Sequence, residues 1–120
     1  MKINNYEEVV EKILPFLPDY LEEQGIDLST QFSCISPAHE DKNPSSGIVP
    51  GDNVFHCFSC GASGNIFHAA HYLEGKPLSG LGFIVDNLSY LAKKYGVELE
   101  HKPLTEEEVY ELDTYRAYQI

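Results

Sequence analysis

The sequence predicts a small α+β domain, an antiparallel β-sheet flanked by helices on both sequence sides, on three observations. All three cysteines fall in one central stretch, Cys34 and then Cys57 and Cys60, with His39 between them. Two β-prone runs, 47–49 and 54–58, flank the turn sequence Pro50-Gly51-Asp52-Asn53. Outside that stretch, apolar residues recur at helical spacing. Three thiols and one imidazole in two close pairs form a Cys3His set of the kind that holds structural zinc, which sharpens the fold class to a zinc ribbon.

Bulk properties set limits on function. A chain of 120 residues is one domain's worth, and at 42% hydrophobic and 22% charged its composition is that of an ordinary soluble domain. No run approaches the length of apolar sequence that a membrane span needs. The N-terminus, MKINNYEEVVEK, is too acidic and too amphipathic for a signal peptide, so a cytoplasmic location is expected. In a reducing compartment a CxxC pair means metal or redox chemistry. The formal charge is −11, and residues 34–67 carry only Lys42 against Glu40, Asp41 and Asp52. That balance argues against strong autonomous duplex binding, in which phosphate neutralisation supplies much of the affinity.

Taken in order, Tyr6, Val9, Val10, Ile13, Leu14 and Leu17 form a helical stripe behind Asn5 as N-cap, with Glu7 and Glu8 in the first turn. Pro15 should end or kink that helix at Leu14, and Pro18 should open a short second one closed by Gly25. Residues 26–32 are expected to be extended and to lead to Cys34. Pro37, Asn43 and Pro44 force a loop. The 17 residues between His39 and Cys57 leave room for a hairpin and little more. Gly61 to Gly64 read as a loop, and Asn65 as the cap of a helix from Ile66 to about Gly75. A further helix over 81–95 places Phe83, Ile84, Leu88, Leu91 and Tyr95 on one face and stops at Gly96; Val97 and Leu99 suggest a short strand. Thr105 and Glu108 form a capping-box signature for a last helix. The expected organisation is a ribbon domain over 1–100 and a helical linker over 101–120, leading towards a C-terminal domain.

Within the site, the two-residue spacing of Cys57 and Cys60 suits a knuckle turn that points both sulfurs at one ion. Gly61 supplies the backbone freedom that turn needs. Four protein ligands leave no place for a water, so one structural Zn2+ is expected and no catalytic one. A redox Cys57/Cys60 pair would want a strand running directly into a helix of a βαβ unit, and a Gly-rich loop follows instead. Among the histidines, His56 abuts Cys57 and alternates to the other strand face. His68 and His71 share a helix face and suit surface histidines or a second metal, and His101 sits in a connector. His39 is the choice for the fourth ligand. No nucleophile–base pair, P-loop or dinucleotide fingerprint is present, and Glu106 to Glu108 read as a helix start, so no catalytic residue is assigned.

These stretches resemble a known family. HEDKNPS (39–45) and FHCFSCGASGNIF (55–67) are similar to the motifs of the CHC2 zinc ribbon of bacterial and phage DnaG-type DNA primases, and NLSYLAKKYGVEL (87–99) resembles its closing helix. The resemblance spans about residues 5–100. It implies zinc ligands at Cys34, His39, Cys57 and Cys60, with four residues between Cys34 and His39 as in phage-like members, where the usual bacterial spacing is two. It also implies that Lys42, Phe55, His56 and Phe58 contact single-stranded DNA template in support of RNA primer initiation. The partners implied are a primase polymerase domain in cis or trans, where Mg2+ would act outside this chain, and a replicative helicase; the setting is a bacterial or phage-infected cell. A different class, a zinc-ribbon module that docks a replication partner through its acidic surface, fits the charge.

Overall fold

A computed structural model describes residues 3–36, 44–49, 51–100 and 106–117. Helix α1 (Tyr6–Ile13) buries Val9 and Ile13, as its apolar spacing requires. The helix ends at Ile13, as Pro15 requires, and a 3-10 turn, Leu14–Phe16, leads directly into α2 (Leu17–Glu23). Pro15 and Pro18 each fall in the first turn of a new segment, where a missing N–H costs nothing. Gly25, at φ 86°, ends the unit.

Three expectations fail here. Asn5 makes no side-chain cap. Its amide donates to Glu98 O at 3.1 Å and its Oδ1 accepts from Glu100 N at 2.9 Å, tying α1 to the chain's exit. That bonding also occupies residues 97–100, which form no strand. Residues 26–32 are not extended throughout, because Asp27 Oδ1 accepts from both Ser29 N (2.9 Å) and Ser29 Oγ (2.6 Å) and folds the chain into a turn.

Strands β1 (Ser46–Val49) and β2 (Val54–Cys57) pair antiparallel, with Ser46 opposite Cys57, Gly47 opposite His56 and Ile48 opposite Phe55. The turn between them uses positive φ at Gly51 (85°) and Asn53 (54°). A third, two-residue strand, β3 (Ser63–Gly64), extends the sheet from β2 where a loop was expected. At Gly64 an added Cβ would lie 2.5 Å from His68 Cβ, so only glycine lets the sheet edge meet the next helix.

That helix, α3 (Ile66–Glu74), is closed as its sequence predicts. Asn65 accepts from the N–H groups of Phe67 and His68, the His68 ring accepts from Asn65 N, and Gly75 is left-handed. The region expected as one helix over 81–95 is a short α4 (Gly80–Gly82), a π-helical stretch Phe83–Leu88 and α5 (Ser89–Lys94). The wide turn is held by Ser89, whose N–H and hydroxyl both reach Ile84 O, the hydroxyl at 2.6 Å. It turns Asn87 inward, where the amide donates to Phe67 O (3.1 Å) and Pro77 O (3.0 Å). Helix α6 (Glu106–Ala117) follows, with Val109 and Tyr110 exposed. The core lies between α1, α2, α3 and α5, and the sheet meets it through Phe55, whose ring packs edge-on against Tyr72 at 6.3 Å. The described helices include none long and apolar enough to cross a membrane.

Candidate metal centre

The site is assembled by backbone pairing before any ion is considered. Phe32 and Ser46 exchange both backbone hydrogen bonds (3.0 and 2.9 Å), which brings Cys34, two residues on, to the edge of the hairpin. On β2 the alternation buries Phe55 and Cys57 and leaves Val54 and His56 on the other face. Gly61 N donates to Cys57 O (2.9 Å), Cys57 N donates to Ala62 O (2.8 Å), and Gly61 sits at φ 80°, which together form the knuckle that returns Cys60 beside Cys57.

The three sulfurs lie within 4.8 Å of one another, and Cys34 Sγ is 3.7 Å from Cys60 Sγ. Thiolates around a tetrahedral ion at a Zn–S length of about 2.3 Å stand about 3.8 Å apart, so the donor set fits zinc. None of the three is in a disulfide. A second sign is Ser46, 1% exposed, whose hydroxyl makes no hydrogen bond among the described residues and stands at the cross-strand position of Cys57. A buried hydroxyl without a partner costs stability unless something polar meets it, and a metal-bound thiolate opposite is such a group. Among the described residues these cysteines are the one cluster that could hold a metal. His39 and Lys42 lie outside the described residues.

The electrostatics of the cysteines differ. Burial works against ionising Cys57, but the N–H groups of Cys60 and Ser59 and the Ser45 hydroxyl favour its thiolate, and the thiol is pulled down to about 5. Ser46 acts in the same direction. Because its hydroxyl is outside hydrogen-bonding geometry, its contribution is that of a nearby dipole. Cys34 is pushed up to about 11, chiefly by burial. A bound cation reverses that penalty, since coordination deprotonates a thiol outright. Sequence reasoning missed Ser45, Ser46 and Ser59; the only available signal was that the hairpin register sets Ser46 opposite Cys57.

The expected DNA-contact residues separate. Phe55 is corrected: at 2% exposure its ring belongs to the core and no base can stack on it, because β2 turns that position inward. His56 lies on the outer face between Gly47 and Ser63, both too small to cover it. Phe58 is 68% exposed and meets the His56 ring edge-on at 4.7 Å. His68 and His71 each commit Nδ1 locally, to Asn65 N (3.2 Å) and Lys76 O (2.8 Å).

A three-stranded antiparallel sheet that carries a thiol cluster at its knuckle, beside helices, defines a zinc ribbon. Comparison with known proteins makes the class specific. The CHC2 zinc finger family model matches residues 5–107, and the chain belongs to that family, the zinc ribbon of DnaG-type primases. It is 39% identical over 79 residues to a DNA primase of Geobacillus stearothermophilus, covering 66% of this chain and 11% of the relative. It is 33% identical over 95 residues to a DNA primase of Thermotoga maritima, covering 78% of this chain and 15% of the relative. A DNA primase of Campylobacter jejuni is 42% identical over 57 residues, or 46% of this chain and 9% of the relative. The chain thus spans between about a tenth and a sixth of the length of these relatives. No solved structure gives a significant match. Family and thiol cluster together give this chain a structural zinc ion. Such an ion cross-links chain segments that a small core cannot hold by itself.

Proposed function

We propose that this chain is the template-contacting end of a primase: it binds single-stranded DNA and supports primer initiation by a polymerase domain, in the same chain or another. In this reading Cys34, His39, Cys57 and Cys60 hold the zinc, and the metal fixes the knuckle on which Phe58 stands. Phe58 and His56 offer stacking faces to bases, and Lys42 offers charge to a phosphate. The observation that carries the reading is the exposed Phe58 ring, 68% accessible and braced by His56 beside the metal centre. A phenylalanine left that open loses apolar burial, and contact with a base would recover it.

Stacking needs little net charge, which suits a chain of −11. The acidic surface limits the phosphate contribution, so binding by the isolated chain is weak and depends only mildly on salt. Titration of the zinc-loaded chain with a single-stranded oligonucleotide at low and moderate salt tests this. Measurable binding that falls on Phe58→Ala at unchanged zinc content supports it. No binding at low salt, or binding indifferent to Phe58→Ala, contradicts it.

A further inference from the structure

Ser45 is bound to the knuckle three times over. Its carbonyl accepts from Phe58 N at 3.0 Å, its hydroxyl accepts from Ser59 Oγ at 2.7 Å, and the same hydroxyl lies 3.6 Å from Cys57 Sγ. Ser59 donates to the Ser45 hydroxyl, and in the 3.6 Å contact with sulfur either partner could donate. A metal-bound thiolate can only accept, so with zinc held by Cys57 the donor in that contact is Ser45.

We propose that Ser45 is a positioning residue of the metal centre. Its hydroxyl, oriented by Ser59, donates to the Cys57 thiolate and holds that sulfur at the ion, while its carbonyl fastens Phe58 to the same point. Two consequences are separable. The donated proton withdraws electron density from one sulfur of the set, and hydrogen bonds from outside the ligand shell of this kind alter metal affinity by about 10- to 100-fold. The Phe58–Ser45 backbone bond ties the exposed ring to the state of the site, so that metal retention and the pose of Phe58 change together. The inference rests on the zinc assignment and stands independently of DNA binding.

The test compares the zinc-loaded chain with Ser45→Ala, Ser45→Thr and Ser59→Ala. Two readouts are used: the rate of zinc release to a competing chelator, and the thiolate-to-metal charge-transfer band of the cobalt-substituted protein. Ser45→Ala is expected to release zinc about 10- to 100-fold faster. Its cobalt band moves to lower energy, because the sulfur that has lost its donor is richer in electrons. Ser45→Thr keeps the hydroxyl and restores both values, and Ser59→Ala gives a smaller shift in the same direction. A purely structural role would leave the band energy in place. The proposal is overturned if Ser45→Ala leaves the cobalt band at its wild-type energy, whatever its zinc release, or if Ser45→Thr behaves as Ser45→Ala. Wild-type protein that holds no zinc would overturn the metal centre as well. If Ser45→Ala does not fold, the Thr and Ser59 variants still decide the matter.

Discussion

The helical half of the molecule buries Val9, Ile13, Leu17, Leu21, Ile66, Leu88 and Leu91 against one another, whereas the ribbon sends only Phe32 and Phe55 into the fully buried apolar core among the described residues. The helices are also linked by polar bonds: Tyr20 OH and Tyr90 OH both donate to Glu74, and Tyr95 OH donates to Glu23. The ribbon has four-residue strands, a two-residue edge strand and a cluster of thiols. A helical shell of this kind can stand on apolar burial. The ribbon cannot, and its order is delegated to the metal. The open Phe58 ring stands on the ribbon side of this division, next to the thiol cluster.

The sharpest way to break this contrast is to remove the metal. Chelation, or Cys57→Ser, should abolish amide hydrogen-exchange protection across 46–64 while α1, α3 and α5 keep theirs. Uniform loss in both halves would mean that they fold as one unit. Next in size is a pair of phenylalanine truncations on the same hairpin. Phe55→Ala should cost about 3–5 kcal/mol in denaturant unfolding, as a buried ring lost from the junction. Phe58→Ala should leave stability nearly unchanged and weaken oligonucleotide binding roughly 5- to 150-fold, the equivalent of one stacked base at about 1–3 kcal/mol. Equal stability costs for the two would refute the division into inner and outer faces.

A smaller effect belongs to the helical half. Asn65→Ala removes the cap of α3 and should cost about 1 kcal/mol with zinc affinity unchanged. The last effect is one of pH. Burial, assisted by His71, lowers the His68 pKa below its ordinary 6.5, and the neutral ring accepts from Asn65 N. A depressed pKa stabilises the fold fully above the unfolded value. The contribution is therefore complete above about pH 6.5 and fades as the pH falls through the folded value. Thermal melts of wild type and His68→Gln should diverge above that pH and converge below it.

What the sequence disclosed follows from how local each signal is. The CxxC knuckle, the Gly51–Asn53 turn and the Asn65/Gly75 helix ends are set by residues within a few positions of one another, and each appears where its chemistry places it. Asn5 misled because backbone groups far along the chain, Glu98 O and Glu100 N, take its side-chain amide, and Glu100 N occupies the Oδ1 that would cap the helix. Asp27 misled because an acceptor two residues upstream bends a run whose composition reads as extended. Phe55 and Phe58 share a residue type and a motif, and only the register with Ile48 shows which of them faces the core. The π-helical turn at Phe83–Leu88 and the Ser45–Ser59 relay have no sequence signature, since each is created by a tertiary neighbour.

The proposed function has the zinc-held face that carries His56 and Phe58 meeting single-stranded DNA. Amide-resolved NMR of the zinc-loaded chain during titration with a short single-stranded oligonucleotide tests it directly. The largest shift changes are expected at Gly47, His56, Phe58 and Ser63, and they should disappear after chelation. Changes confined to α3 and α5, or none at a saturating concentration of oligonucleotide, would contradict it.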